Sequence, residues 1–201
     1  AGEPLLFLHG AGGGGAWLPF MADLAASHRV IAPEHPGVGG SEMPSWLDGM
    51  HDLAFFYLDF LKAEGLDRVH VVGHSLGGWL AAEMAMIDAA RIASLTLVAP
   101  AGLRVPGSPV ADIFLFSPEE RARSLYVDAA LTQAELDHVP DDAENELRAK
   151  NRVVAARLAW QPRFYDPLLA KWLPRVTLPT LILWGEQDRI IPVAHAAAYR
   201  A

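Results

Sequence analysis

The residue best set up for covalent chemistry is a serine with glycine two positions before it and two after. It stands where an apolar, β-branched run (69–72) gives way to an Ala/Met-rich helical pattern, in Gly73-His74-Ser75-Leu76-Gly77-Gly78. Gly-x-Ser-x-Gly between a strand and a helix holds the serine on a tight, strained turn with its hydroxyl exposed. Only glycine at the flanking positions lets strand and helix approach that closely. A serine hydroxyl is a poor nucleophile unaided, so a histidine must take its proton and a carboxylate must hold that histidine. The bland alternative is a serine that merely caps the helix; the strand-turn-helix context favours the chemical one.

A second motif competes for attention. Gly10-Ala11-Gly12-Gly13-Gly14-Gly15 satisfies Gly-x-Gly-x-x-Gly between a strand and a helix. Glu34 follows about 20 residues on, at the end of the next strand, as a dinucleotide fold would place it. Taken alone, this reads as a nucleotide site. Four consecutive glycines, however, match many glycine patterns, and a dinucleotide fold leaves Ser75 unexplained.

The elements that must position these motifs alternate between strand and helix. Residues 5–8 are a continuous apolar run ending in the glycine loop, as a fully buried parallel strand reads. A helix is expected over 17–26, a strand over 29–33, and a helix over 51–63, where Leu53, Phe56, Tyr57, Phe60 and Leu61 recur at helical spacing. Strands at 69–72 and 92–98 follow, then a charged, helix-favouring block over 106–172, then a strand at 180–184. Strand-helix alternation implies parallel βαβ units with right-handed crossovers. The helical block is an insertion after the fourth strand, giving a core at 1–105 and 173–201 and a helical cap at 106–172.

Size and composition bound the rest. The chain has 201 residues, 52% hydrophobic, a net charge of −8 and no cysteine. It reads as one globular domain able to fill a core. No Lys/Arg cluster is available to neutralise phosphates, which excludes a general nucleic-acid or anionic-membrane binder. The absence of cysteine and of a membrane-length apolar run fits a cytoplasmic protein. No Cys ligand is present, and no metal site is expected.

The glycine-flanked serine resembles the nucleophile elbow of the α/β-hydrolase superfamily, and the resemblance covers nearly all of the chain outside the insertion. His9-Gly10-Ala11 is similar to the family's His-Gly-x segment, and residues 34–41 (Glu-His-Pro-Gly-Val-Gly-Gly-Ser) to its Asp-x-Pro-Gly-x-Gly-x-Ser loop, with Glu for Asp. The resemblance implies a doubly wound parallel sheet and an oxyanion hole made by the amides of Ala11 and Leu76, with His9 orienting the loop. Asp188 matches the triad acid in Gly185-Glu186-Gln187-Asp188, with Glu186 as the nearby alternative.

In this family the catalytic histidine follows the acid on a loop after one further helix and strand. Only His195 lies after Asp188, seven residues on, where the family has a helix. The expectation is therefore a chain truncated at its C-terminus, inactive by itself, with His195 as the one candidate base within it. His74 and Trp160 are candidates for the substrate pocket. The implied activity is hydrolysis of a small ester or related acyl substrate through an acyl-enzyme at Ser75, with no cofactor. A carbon–carbon bond hydrolase of ring-cleavage products is the rival within the class. A non-catalytic binding protein of the same fold, and a dinucleotide-binding protein, are the rivals outside it.

Overall fold

A computed structural model describes residues 2–200. Five strands form one parallel sheet in the order β2-β1-β3-β4-β5. They are β1 (Pro4–Leu8), β2 (Arg29–Ile31), β3 (Val69–His74), β4 (Ile92–Val98) and β5 (Thr180–Leu183). β1 and β3 are neighbours in register, Leu8 opposite Gly73. The chain therefore leaves both strands side by side at the carboxyl edge, the place where the order reverses and where open α/β sheets bind ligands.

The helices cover the sheet in the way their patterns require. α1 (Pro19–Ala25) follows β1, and α2 (Met50–Ala63) buries Leu53, Ala54, Tyr57 and Leu61 along one stripe. α3 (Leu76–Ile87) is different: every residue from Leu76 to Ala85 is buried. A helix apolar all round belongs inside a protein, and α3 runs from the end of β3 through the middle of the core. Leu6, Leu8, Leu80 and Leu95 are wholly or almost wholly buried there, each such side chain contributing about 1.5–3 kcal/mol.

Between β4 and β5 the chain is helical: α4 (Pro118–Leu125), α5 (Ala129–Asp137), α6 (Asp142–Ala159), α7 (Leu169–Trp172) and a 3₁₀ turn at Leu173–Arg175. Ser117 and Glu120 close a reciprocal capping box on α4, and Asp128 and Asp141 cap α5 and α6. α6 turns Asn151, Val154, Ala155, Leu158 and Ala159 inward, the spacing of one helical face. The last helix, α8 (Ala194–Arg200), follows β5.

Expected and observed elements differ at their ends. The first helix begins at Pro19 instead of residue 17, because proline suits the first helical turn and the residues before it are extended. β2 stops at Ile31 instead of reaching Pro33, which has no amide to give a ladder. β3 runs two residues further, to His74, since Gly73 and His74 still pair with Leu97 and Val98. Among the described residues β5 is an edge strand, with Leu181 53% and Leu183 45% exposed.

Candidate active site

Ser75 sits at φ +54° and ψ −114°, a conformation that costs a non-glycine residue about 1–3 kcal/mol. Backbone hydrogen bonds hold it there. Its amide donates to Val98 O at 2.9 Å, and its carbonyl accepts from Gly78, Trp79 and Ala101 at 3.0–3.1 Å. Glycine is required on both sides by contact with backbone. A Cβ on Gly73 would lie 2.2 Å from Gly77 O, and one on Gly77 would lie 2.0 Å from Leu8 O. The serine stands at the N-cap of α3, yet its side chain caps nothing. That counts against a merely structural serine.

The glycine loop after β1 lies directly against this turn, a Cβ on Gly10 falling 3.2 Å from Ser75 Cβ. Ala11 and Leu76 both line one narrow crevice beneath α6. Among the described residues neither amide donates to any group. Two unengaged N–H donors beside a serine are what a developing oxyanion needs.

A buried pair of imidazoles fixes the loop. His35 N–H donates to His9 Nε2 at 3.0 Å, so His9 carries its proton on Nδ1 and gives it to Gly10 O at 2.7 Å. His35 in turn donates from Nε2 to His9 O at 3.0 Å and accepts the Tyr57 hydroxyl at Nδ1, 2.7 Å away. Both rings are therefore neutral and spoken for. Burial holds His9 below its ordinary range and takes His35 from 6.5 down to about 3.

This gives a pH dependence with a defined sign. Between about pH 6.5 and 3 the unfolded chain protonates His35 and the folded one does not. Acid therefore favours unfolding by about 1.4 kcal/mol per pH unit from this group, and the contribution is fully present only above 6.5. Urea unfolding at pH 7 and pH 5 is expected to show stability lower by about 2 kcal/mol at pH 5, a difference that His35→Gln reduces.

Asn151 is a residue that the sequence did not point to. Its buried side chain reaches from α6 to both loops, donating to Gly12 O at 3.2 Å and accepting from Gly39 N at 3.2 Å. Lys150 Nζ donates to Gly39 O as well. α6 thus staples the glycine loop to the 34–41 loop. Asn151→Ala orphans a carbonyl and an amide, an expected cost of about 1–3 kcal/mol in urea unfolding. Asn151→Gln, which keeps the groups but lengthens the stem, is expected to lie between.

A cavity of about 670 Å³ opens beside the staple, lined by the glycine loop, Phe7, Met21, Glu34, His74 and Asn151. His74 thus faces a cavity. Burial on one side lowers its pKa, opposed by the charge of Asp188. Trp160 lines neither cavity: it is half exposed, beneath the Arg163 guanidinium at 3.7 Å and against Phe114 at 5.4 Å. The cap's aromatic residues pack on one another here.

Asp188 follows β5 at the same edge of the sheet as Ser75. Its Oδ1 accepts the amides of Ile190 and Ile191 at 2.9 and 2.8 Å, which fixes the carboxylate in place. His195 is fully buried at the start of α8 and donates from Nε2 to Ser108 O at 2.7 Å. No hydrogen bond joins His195 to Ser75 or Asp188 among the described residues. It ties the base of the insertion to α8 instead.

One further expectation changes. The glycine loop is not seated on a helix: α1 begins at Pro19, four residues past Gly15, so no helix N-terminus faces it as a pyrophosphate would require. Glu34 is engaged by the Gly40 amide at 2.9 Å. The dinucleotide reading loses both its supports. Away from these loops, His51, Glu83 and Asp166 bring donor atoms within 4.8 Å of one another. They come from three separate elements, which no spacing pattern can reveal.

Comparison with known proteins places this geometry. A family model described as alpha/beta hydrolase fold matches residues 3–201. The chain is 31% identical to the dihydrolipoyllysine-residue acetyltransferase component of the acetoin cleaving system of Cupriavidus necator, over 98% of this chain and 54% of that protein. It is 32% identical to the 2-hydroxymuconate semialdehyde hydrolase of Pseudomonas sp. strain CF600, over 96% of this chain and 73% of that one. A solved bacterial membrane phospholipase A superposes with TM-score 0.72 at 29% identity, covering 99% of this chain and 67% of that one. The chain spans about half the length of the acetyltransferase component. No described helix is long and apolar enough to cross a membrane.

Proposed function

The chain belongs to the α/β-hydrolase fold family, and from that premise we propose that it performs serine hydrolysis of a small ester or related acyl compound. The observation that carries the reading is the juxtaposition of a strained, uncapped Ser75 with the unengaged amides of Ala11 and Leu76. In this reading Ser75 Oγ bonds to the acyl carbon as its proton passes to a histidine, and the carbonyl oxygen, now an anion, is held by the two amides. The tetrahedral intermediate collapses when the leaving group departs with that proton, leaving an acyl-enzyme that water hydrolyses by the same steps.

Asp188, anchored through Oδ1, is assigned to orient the histidine through its other oxygen. His9 and His35 are locked neutral in the core, and His195 is held through Nε2 by Ser108 O, its Nδ1 unpartnered among the described residues and joined to neither Ser75 nor Asp188. The proposal therefore assigns the base to none of these three.

Similarity to the 2-hydroxymuconate semialdehyde hydrolase favours a second reading, cleavage of a carbon–carbon bond in a vinylogous diketone. The two are separated by comparing kcat/KM of the full natural protein on a short p-nitrophenyl ester and on a vinylogous diketone. The ester is expected to be preferred. A preference for the diketone assigns the second reading, and a folded protein inert to both leaves a non-catalytic binding protein of the same fold.

A further inference from the structure

Away from Ser75, three ligating side chains converge, two of them carboxylates that each keep one oxygen without a hydrogen-bond partner. Glu83 lies eight residues along α3 from Ser75, about 12 Å at the rise of a helix. It is fully buried. Trp79 Nε1–H donates to its Oε1 at 2.8 Å, while Oε2 has no hydrogen-bond partner. Asp166, in the segment returning from the insertion, has a side chain only 10% exposed. Its Oδ1 accepts the Leu168 amide at 2.8 Å, and its Oδ2 likewise has no hydrogen-bond partner.

His51, in the first turn of α2, closes the cluster from the solvent side. Its Nδ1 lies 3.2 Å from Glu83 Oε2 and its Nε2 lies 3.6 Å from Asp166 Oδ2. Among the described residues no lysine or arginine pairs with either carboxylate. Two carboxylates withdrawn from water without a fixed cation are costly, and such groups survive when they are paired or coordinate a metal. Each already has one oxygen fixed by an N–H donor, the outer-shell arrangement that orients metal ligands.

From this geometry we propose that His51, Glu83 and Asp166 form a binding site for a zinc-type divalent cation. One imidazole and two carboxylates is a donor set that Zn²⁺ accepts. Bonds of about 2.0–2.2 Å in a tetrahedron put donors about 3.4 Å apart, and one ligand atom from each of the three residues lies within 4.8 Å of the others, so small side-chain movements close the site on an ion. The imidazole disfavours Mg²⁺ and Ca²⁺, which take oxygen ligands. The ion would clamp α2, α3 and the end of the insertion together, a structural role independent of the chemistry at Ser75.

The test is to strip the protein with a chelator, dialyse it, and follow ZnCl₂ binding by calorimetry and thermal melting, with CoCl₂ as a visible-absorbance probe. About one equivalent of Zn²⁺ is expected, with a rise in Tm of about 5 °C or more at a hundredfold excess over Kd and a tetrahedral Co²⁺ spectrum. His51→Ala, at a half-exposed position, is expected to fold and to lose the response. Glu83→Gln, nearly isosteric, is expected to lose it too. No Zn²⁺ binding by the wild type, an equal response to MgCl₂, or an undiminished response in folded His51→Ala overturns the proposal.

Discussion

Replacing Ser75 by alanine is expected to lower ester turnover by about 10⁴-fold or more while leaving the melting temperature unchanged. The two halves of that expectation come from different observations. Ser75 Oγ has no hydrogen bond among the described residues and does not cap α3, so the fold gives up no interaction when it goes. Alanine keeps the same Cβ, so the strain at φ +54° is also unchanged. What disappears, in the proposed mechanism, is the atom that attacks a carbonyl held by the Ala11 and Leu76 amides. Steady-state kinetics on the full natural protein, beside a thermal melt, separates the cases. A variant that keeps most of the rate removes Ser75 from the chemistry, and one that loses rate and Tm together makes it structural.

Gly77→Ala is expected to act in the opposite way, by costing the fold itself. The added carbon would lie 2.0 Å from Leu8 O, 2.5 Å from Leu8 C and 2.6 Å from His9 O. All three are backbone atoms of β1 and the loop it feeds, so no side chain can swing aside. α3 would have to move away from β1, and α3 is buried along nearly its whole length. A loss above about 4 kcal/mol is expected for such a backbone collision, read as insoluble expression or a collapsed urea midpoint. A soluble Gly77→Ala protein melting within a few degrees of wild type would mean that the elbow is looser than these distances allow.

The parts legible in the sequence are those set by contacts between near neighbours. β1, β3 and β4 read as apolar runs because both faces of a parallel sheet are covered, and Ser75 reads because the backbone collision at Gly73 and Gly77 is local to one turn. His9 read as a loop-orienting residue through its neighbours Gly10 and Ala11. Its partners did not read, because His35 and Tyr57 approach it across 26 and 22 positions of separation in successive bonds. Asn151 lies still further off, 139 residues from Gly12 and 112 from Gly39. A polar residue on the inner face of an amphipathic helix carries no local mark of what it will meet. Likewise, no histidine spacing pointed to His51, because His51, Glu83 and Asp166 are assembled by packing of α2 against α3 and by the return of the insertion. Trp160 shows a related effect: an aromatic residue in an inserted helical block packs equally well on its own neighbours, here Phe114 and Arg163.

The central claim is that Ser75 is a nucleophile, and covalent trapping tests it most directly. The full natural protein is treated with a fluorophosphonate, digested with trypsin and mapped by mass spectrometry. The peptide spanning residues 69–91 contains Ser75 as its only hydroxyl-bearing side chain, so an adduct on it has one address. A single adduct on that peptide, absent from Ser75→Ala, is the predicted result. An unlabelled Ser75 in a protein that still hydrolyses the ester would contradict the account.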